Sequence, residues 1–303
     1  MRERIPVGLP DWVLLRPGGF ATILHMKNSL LAVAFASVLP LTSAEARGYL
    51  RHTRPIERND SVPSETAASP LFRKTLVVIG DSYVANHKRP TEEAWHYRLA
   101  EKYQMEYFNY GKNGNCLAFD RKGWGVAMVN RLGELHSPAD FVLVVAGHND
   151  ARYIDGNKAK NEGDDSIDVS DEGKAARLAI FREGVAKMAK ALRAKYPNAR
   201  IVFVSPWRVS DPQFDAVISA LGEIVPSEGC LFVDATAASG IAPNDADVRR
   251  RLFQGKNDMA HLNAAGHALM LGKMEPLFET FAKQQPNKKG SAIVSQADGQ
   301  STP

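Results

Sequence analysis

Cysteine is nearly missing from this chain. Cys116 and Cys230 are the two thiols in 303 residues, which excludes a disulfide framework and a Cys-based zinc site. Charge of one sign is missing too. With 38 basic and 34 acidic residues the formal net charge is +4. No Lys/Arg block marks a nucleic-acid groove, so nucleic acid is not an expected partner. No uninterrupted apolar run reaches the roughly 20 residues that span a bilayer, and no internal repeat is visible. With 23 Gly and 17 Pro the chain is neither collagenous nor low in complexity, and a 44% hydrophobic content supplies a real core.

The N-terminal part reads as an export signal. Residues 26–46 are MKNSLLAVAFASVLPLTSAEA. Met26 and Lys27 give a positive start, Ser29 to Leu39 an apolar stretch of signal-peptide length, and Ala44-Glu45-Ala46 a small-x-small cleavage site. The expected mature chain begins near Arg47 and is periplasmic or secreted, with no stable membrane anchor after cleavage. Residues 1–25 then read as a misassigned upstream start. Residues 47–70 read as an extended lead-in, residues 71–283 as the folded domain, and residues 284–303 as a polar disordered tail.

Within the domain, short apolar runs alternate with helical patterns. Thr75 to Ile79, Met105 to Tyr110, Phe141 to Val145, Ile201 to Val204 and Leu231 to Val233 read as strands. Glu92 to Tyr103, Lys174 to Tyr196, Phe214 to Ile224 and Ala264 to Lys283 read as helices, the last bent at Pro276. Strands apolar on both faces, separated by helices, predict a three-layer α/β/α sandwich. Its five-stranded parallel sheet takes the flavodoxin-like order 2-1-3-4-5. In such a sheet the ligand sits beyond the carboxyl ends of the first and third strands, where the winding reverses.

Three short pieces belong at that point or near it: Gly80-Asp81-Ser82-Tyr83, Gly147-His148-Asn149-Asp150, and Asp258-Met259-Ala260-His261. Together they suit ester hydrolysis. A serine hydroxyl attacks only when a base takes its proton, and histidine is that base near neutral pH. A carboxylate three residues before the histidine is placed to hold its tautomer and answer the imidazolium charge. Backbone amides at a strand-to-helix turn and an asparagine amide suit the developing oxyanion.

These pieces, with Asn109-Tyr110-Gly111-Lys112-Asn113-Gly114-Asn115 and Leu262-Asn263-Ala264-Ala265-Gly266, resemble in order the four blocks of the SGNH hydrolase superfamily, the GDSL-type esterases and lipases. The resemblance covers residues 71–283, and Tyr83 stands where leucine is usual. It implies Ser82 as nucleophile, His261 as base and Asp258 as orienting acid. It also implies an oxyanion hole of the Ser82 and Gly114 amides and the Asn149 side chain, with Gly111 a rival to Gly114. No Cys/His cluster supports a metal, and no cofactor is expected. His148 resembles the histidine found there in some carbohydrate acetylesterases of the superfamily.

The remaining polar residues have plainer readings. Asp81 caps the turn after the first strand, Asp150 braces a loop, His267 packs inside the last helix, and His87 and His96 line the first loop and helix. The acidic stretch 155–172 fails the calcium-loop pattern and reads as a long loop, either a lid or solvated surface. The two cysteines belong at opposite ends of the sheet and are not expected to pair. Tyr83, His87, Phe119, Trp124, Tyr153, Trp207 and Arg208 are expected around the pocket mouth. There Tyr83, His148, Trp207 and Arg208 are the expected substrate contacts, aromatics stacking on sugar and Arg208 meeting a carboxylate. The expected substrate is a small-molecule or carbohydrate ester, foremost an O-acetyl carbohydrate. A lysophospholipase- or thioesterase-type activity and a non-catalytic binding module on the same fold remain the alternatives, and oligomeric state is left open.

Overall fold

The computed structural model describes residues 56–121 and 124–284. The expected signal segment, the residues before it and the tail beyond residue 284 lie outside the described residues. Five parallel strands, β1 (Thr75–Gly80), β2 (Glu106–Gly111), β3 (Phe141–Val145), β4 (Arg200–Val204) and β5 (Leu231–Val233), form one sheet in the order β2-β1-β3-β4-β5. This is the expected topology.

The continuous apolar runs follow from burial on both faces. Strand side chains alternate, so Val77 and Ile79 leave β1 on one face and Leu76 and Val78 on the other. On the first face they meet Val144 and Phe203, under α6 (Asp171–Lys195) and α7 (Pro212–Ser227), through Phe181, Val185 and Phe214. On the second they meet Leu143 and Val202, under α3 (Trp95–Lys102) and α10 (Ala264–Lys283), through Leu99, Phe278 and Phe281. All of these side chains are fully buried or nearly so. Truncating one of the buried phenylalanines to Ala costs about 3–5 kcal/mol.

Helix boundaries move where capping chemistry outweighs apolar spacing. α6 begins at Asp171 because Ser170 accepts from the Gly173 amide, and α7 begins at Pro212 because Asp211 accepts from the Gln213 amide. α10 runs on through Pro276 to Lys283. The lead-in carries one helical turn, α1 (Ser64–Ala68), rather than extended chain throughout.

The expected long loop at 155–172 is corrected. α4 (His148–Asp155) reaches into it, α5 (Asn157–Asn161) follows at once, and α6 begins at Asp171. What remains buries Ile167, and the helices on either side are tied by the Arg177 guanidinium of α6, which donates to the Ile154 carbonyl of α4 at 2.8 Å. Both cysteines are free and buried.

The sheet register sets the site. Gly80 pairs with Gly111 on one side and with Val145 on the other. Three strands therefore end level, and the segments that leave them surround one point.

Candidate active site

Asp81 turns the chain out of β1. Its Oδ1 accepts from the Tyr83 amide at 2.9 Å and so starts α2 (Ser82–Ala85), with Ser82 as its first residue. Ser82 Oγ lies 2.9 Å from His261 Nε2, and His261 Nδ1 lies 2.9 Å from Asp258 Oδ2. The other Asp258 oxygen accepts from the Ala260 and His261 amides at 2.8 and 2.9 Å. Partial burial, the largest single influence, pushes the Asp258 carboxyl up, but the hydrogen bonds from His261 and the two amides outweigh it and hold the group at about 2. An ionised carboxylate only accepts. Nδ1 therefore carries the ring proton, and Nε2 is left to accept from the Ser82 hydroxyl.

The His261 loop is clamped from both sides. The Gln254 amide donates to the His261 carbonyl at 2.9 Å, and Phe253 pairs with Leu262. Asn263 caps α10 by accepting from the Gly266 amide at 3.0 Å. The run after His261 is thus the local machinery that orients it.

Asn149 and Gly114 lie where the other strands end. Gly147 turns the chain from β3 into α4 at φ 114°, a left-handed value that suits glycine. Asn149 follows, and its Nδ2 donates to Asp81 Oδ2 at 3.3 Å and to the Asn115 carbonyl at 3.2 Å. Both contacts are long, and a carbonyl oxygen over Ser82 has to share this amide with them. Gly114 adopts φ 75°, and a Cβ there would fall 1.7 Å from the Trp124 ring. Its N–H meets no acceptor among the described residues, whereas the Gly111 amide donates to Asn109 Oδ1 at 2.7 Å. That removes the rival glycine.

Asp81 and Asp150 are fully buried. Burial, opposed by backbone hydrogen bonds, pushes Asp81 up to about 7 and Asp150 up to about 6. Asp150 braces the segment after Gly114 by accepting from the Leu117 and Ala118 amides at 2.9 and 3.0 Å. His267 is buried, accepting from the Trp95 amide through Nδ1 at 3.4 Å and contacting Asn86 Oδ1 through Nε2 at 3.0 Å. Burial lowers it to about 3.

Of the expected substrate contacts, Arg208 is corrected, and Trp207 is placed in the wall of the cavity beside Ser82 rather than at the open mouth. Trp207 is 4% exposed and its Nε1 donates to the Ala260 carbonyl at 2.9 Å, so it braces the His261 loop instead of offering a face to solvent. Arg208 donates to Asp234 Oδ2 at 2.7 Å and to Asp215 Oδ1 at 2.7 Å, so its guanidinium is already answered. Phe119 is buried against Tyr153 and does not reach the mouth. Tyr83 and His148 form a pair, Oη to Nδ1 at 2.9 Å, with burial lowering His148 to about 3. Tyr83 also presents its ring edge-on to His261. A small cavity of about 20 Å³ touches Ser82 and His261 and is walled by Tyr83, Trp95, Val204 and Trp207.

His87, expected at the pocket mouth, makes one contact that the sequence did not signal. The His87 ring stacks on His261 with centroids 4.5 Å apart. No spacing rule relates residues 174 positions apart. Among the described residues no cluster of His, Cys, Asp or Glu is arranged to hold a metal, and no helix is long and apolar enough to cross a membrane.

Comparison with solved structures finds similar proteins of low identity. A protein from Lactobacillus plantarum is 18% identical, covering 69% of this chain and 98% of its own, with a TM-score of 0.54. Phospholipase A1 from Streptomyces albidoflavus NA297 is 19% identical over 69% of this chain and 99% of its own, with a TM-score of 0.47. A mutant of Axe2, an acetyl-xylooligosaccharide esterase from Geobacillus, is 16% identical over 72% of this chain and 97% of its own, with a TM-score of 0.46. No curated protein matches the chain. The model of one family matches residues 78–269, a span that holds Ser82, Gly114, Asn149, Asp258 and His261. The chain belongs to the GDSL-like Lipase/Acylhydrolase family, hydrolases of the esterase and lipase type.

Proposed function

We propose that the protein is a serine esterase that works through an acyl-enzyme and removes small acyl groups, acetyl foremost, from carbohydrate. The observation that carries this reading is the unbroken chain from Ser82 Oγ through the His261 ring to Asp258, each link 2.9 Å. Ser82 attacks the ester carbonyl as Nε2 takes its proton. Asp258 answers the imidazolium, and the Ser82 amide, the Gly114 amide and Asn149 Nδ2 receive the oxyanion. The tetrahedral adduct collapses, and the alcohol leaves with the proton from Nε2. Water, deprotonated by the same nitrogen, then attacks the acyl-serine and frees the acid.

Space beside Ser82 limits the acyl group. The cavity beside Ser82 holds about 20 Å³, close to what one water or methyl occupies. Its aromatic walls favour acetyl over a long acyl chain, which counts against the lysophospholipase- or thioesterase-type alternative. The complete hydrogen-bonded triad counts against a non-catalytic binding module. Export to the periplasm or beyond, proposed from residues 26–46, puts the enzyme among polysaccharides. N-terminal sequencing of protein from its native host checks that part, and a start at Met1 refutes it.

A fluorophosphonate probe tests the reaction. Ser82 is expected to be labelled, and Ser82→Ala to lose labelling and at least about 10⁴-fold in 4-nitrophenyl acetate turnover. An active, folded Ser82→Ala protein would sink the mechanism. The octanoate ester is expected to turn over about tenfold or more slowly than the acetate.

A further inference from the structure

Two cations stand at the mouth of this site with no carboxylate to answer them. Lys88 lies on the segment just beyond α2, and Arg152 lies on α4, three residues past Asn149. The fold brings them together because β1 and β3 are neighbours, so the chain segments leaving their carboxyl ends flank one point. Both line an open cleft of about 510 Å³ that also contains His87, His148, Asp258 and His261. Both side chains are exposed, and neither forms an ion pair among the described residues.

The charge balance of the cleft is one-sided. Asp258 is its one lining carboxylate among the described residues, and both its oxygens are taken by His261 and two amides. His87 and His148 add no negative charge and are held neutral, by burial first and then by neighbouring positive groups that include Lys88 and Arg152 respectively. Lys88 also adopts φ 60°, in a turn where the Arg89 amide donates to the Asn86 carbonyl at 2.8 Å. A residue with a β-carbon seldom holds that conformation, and where it persists it often marks a ligand clamp. Arg208, by contrast, has two carboxylates of its own.

We infer that this cleft recognises an anionic group, a carboxylate or a phosphate, on the alcohol side of the ester, through Lys88 and Arg152. The inference rests on the esterase reading and names its substrate class. The alcohol side is the side concerned, because the small cavity beside Ser82 is given to the acyl group and this cleft is the other pocket that His261, the donor to the departing alcohol, lines.

The test compares matched acetyl esters. O-acetyl galacturonate is set against O-acetyl galactose, and 1-acetylglycerol 3-phosphate against 1-acetylglycerol. The expected kcat/KM ratio of at least one anionic ester to its neutral partner is about tenfold or more at low salt. That ratio shrinks as NaCl rises from about 0.02 to about 0.5 M. Which pair shows the preference tells carboxylate from phosphate. In the Lys88→Ala/Arg152→Ala double variant the ratio falls towards unity, and because it is a ratio within one protein, a general loss of folding does not imitate it. Equal use of anionic and neutral esters in both pairs, or a preference that survives the double substitution, overturns the inference. Calorimetric titration of galacturonate and glycerol 3-phosphate into Ser82→Ala protein separates the two failures. Anion binding without hydrolysis in the native protein defeats the esterase reading alone, and hydrolysis without anion preference defeats the cleft alone.

Discussion

Three aspartates surround Ser82 in two contrasting environments. Asp258 stands on a half-exposed loop with three hydrogen-bond donors around it, and its carboxyl is held at about 2. Asp81 and Asp150 are sealed at the end of β1 and at the start of α4, each with two donors from other residues and its own backbone amide, and burial lifts them to about 7 and about 6. The donors are equal in number, so access to water makes the larger part of the difference. A carboxylate that must stay charged beside an imidazolium belongs in the first environment. A carboxyl that ties strand ends together tolerates the second, at some cost in stability.

Substitutions sharpen or break this contrast. The largest effect is expected at Asp258. Asp258→Asn leaves the shape but loses the charge and the tautomer control, and kcat is expected to fall about 10³–10⁴-fold. Asp81→Asn is expected to cost far less in 4-nitrophenyl acetate turnover. Equal losses at the two positions would erase the distinction between them. Asn149→Ala comes next, with kcat down about 10²–10³-fold and KM moved only a few-fold. A sharp rise in KM at constant kcat would make Asn149 a substrate-binding residue instead.

A smaller effect concerns stability and pH. The folded-state value of Asp81 lies above its ordinary 3.8, at about 7. Its contribution is therefore complete below about pH 4 and is lost as pH rises through about 7. Asp81→Asn removes that loss, so thermal denaturation should show the variant gaining on the native protein across this window. A flat difference would show that Asp81 is not held protonated. His96, His148 and His267, each pushed down to about 3 by burial, act in the opposite sense in both proteins and cancel in the comparison. The smallest effect is expected at Arg208→Ala, about 1 kcal/mol or less, since its ion pairs face solvent. Turnover should stay within about twofold, the level at which a residue outside the pocket is read. A large rise in KM there would return Arg208 to the substrate.

Residues 75–79, 141–145 and 201–204 carry their strand character in plain view, because a strand buried on both faces has no polar position to spare. Short helices carry little apolar spacing, so those over 148–155 and 157–161, which start at glycines without a side-chain cap, and those over 235–239 and 246–252, capped by Asp234 and Asp245, were not legible. Right-handed crossovers leave few strand orders, and the flavodoxin-like one expected among them is the one found; the sequence also held the three residues Ser82, Asp258 and His261 that the structure brings into hydrogen-bond contact. Their likeness to known blocks made them legible although 179 residues separate Ser82 from His261.

Tertiary structure decided which polar groups are free and which are spent. Trp207 and Arg208 look in sequence like offered side chains, but one is packed beneath the His261 loop and the other is held by Asp234 and Asp215. His87 on His261, Tyr83 with His148, and Asp81 with Asn149 are likewise contacts between distant segments. Residue type and spacing determine what a side chain is able to do and which local element it joins. Its partners, its burial and so its charge depend on segments far along the chain, which only the packed sheet brings within a few ångströms.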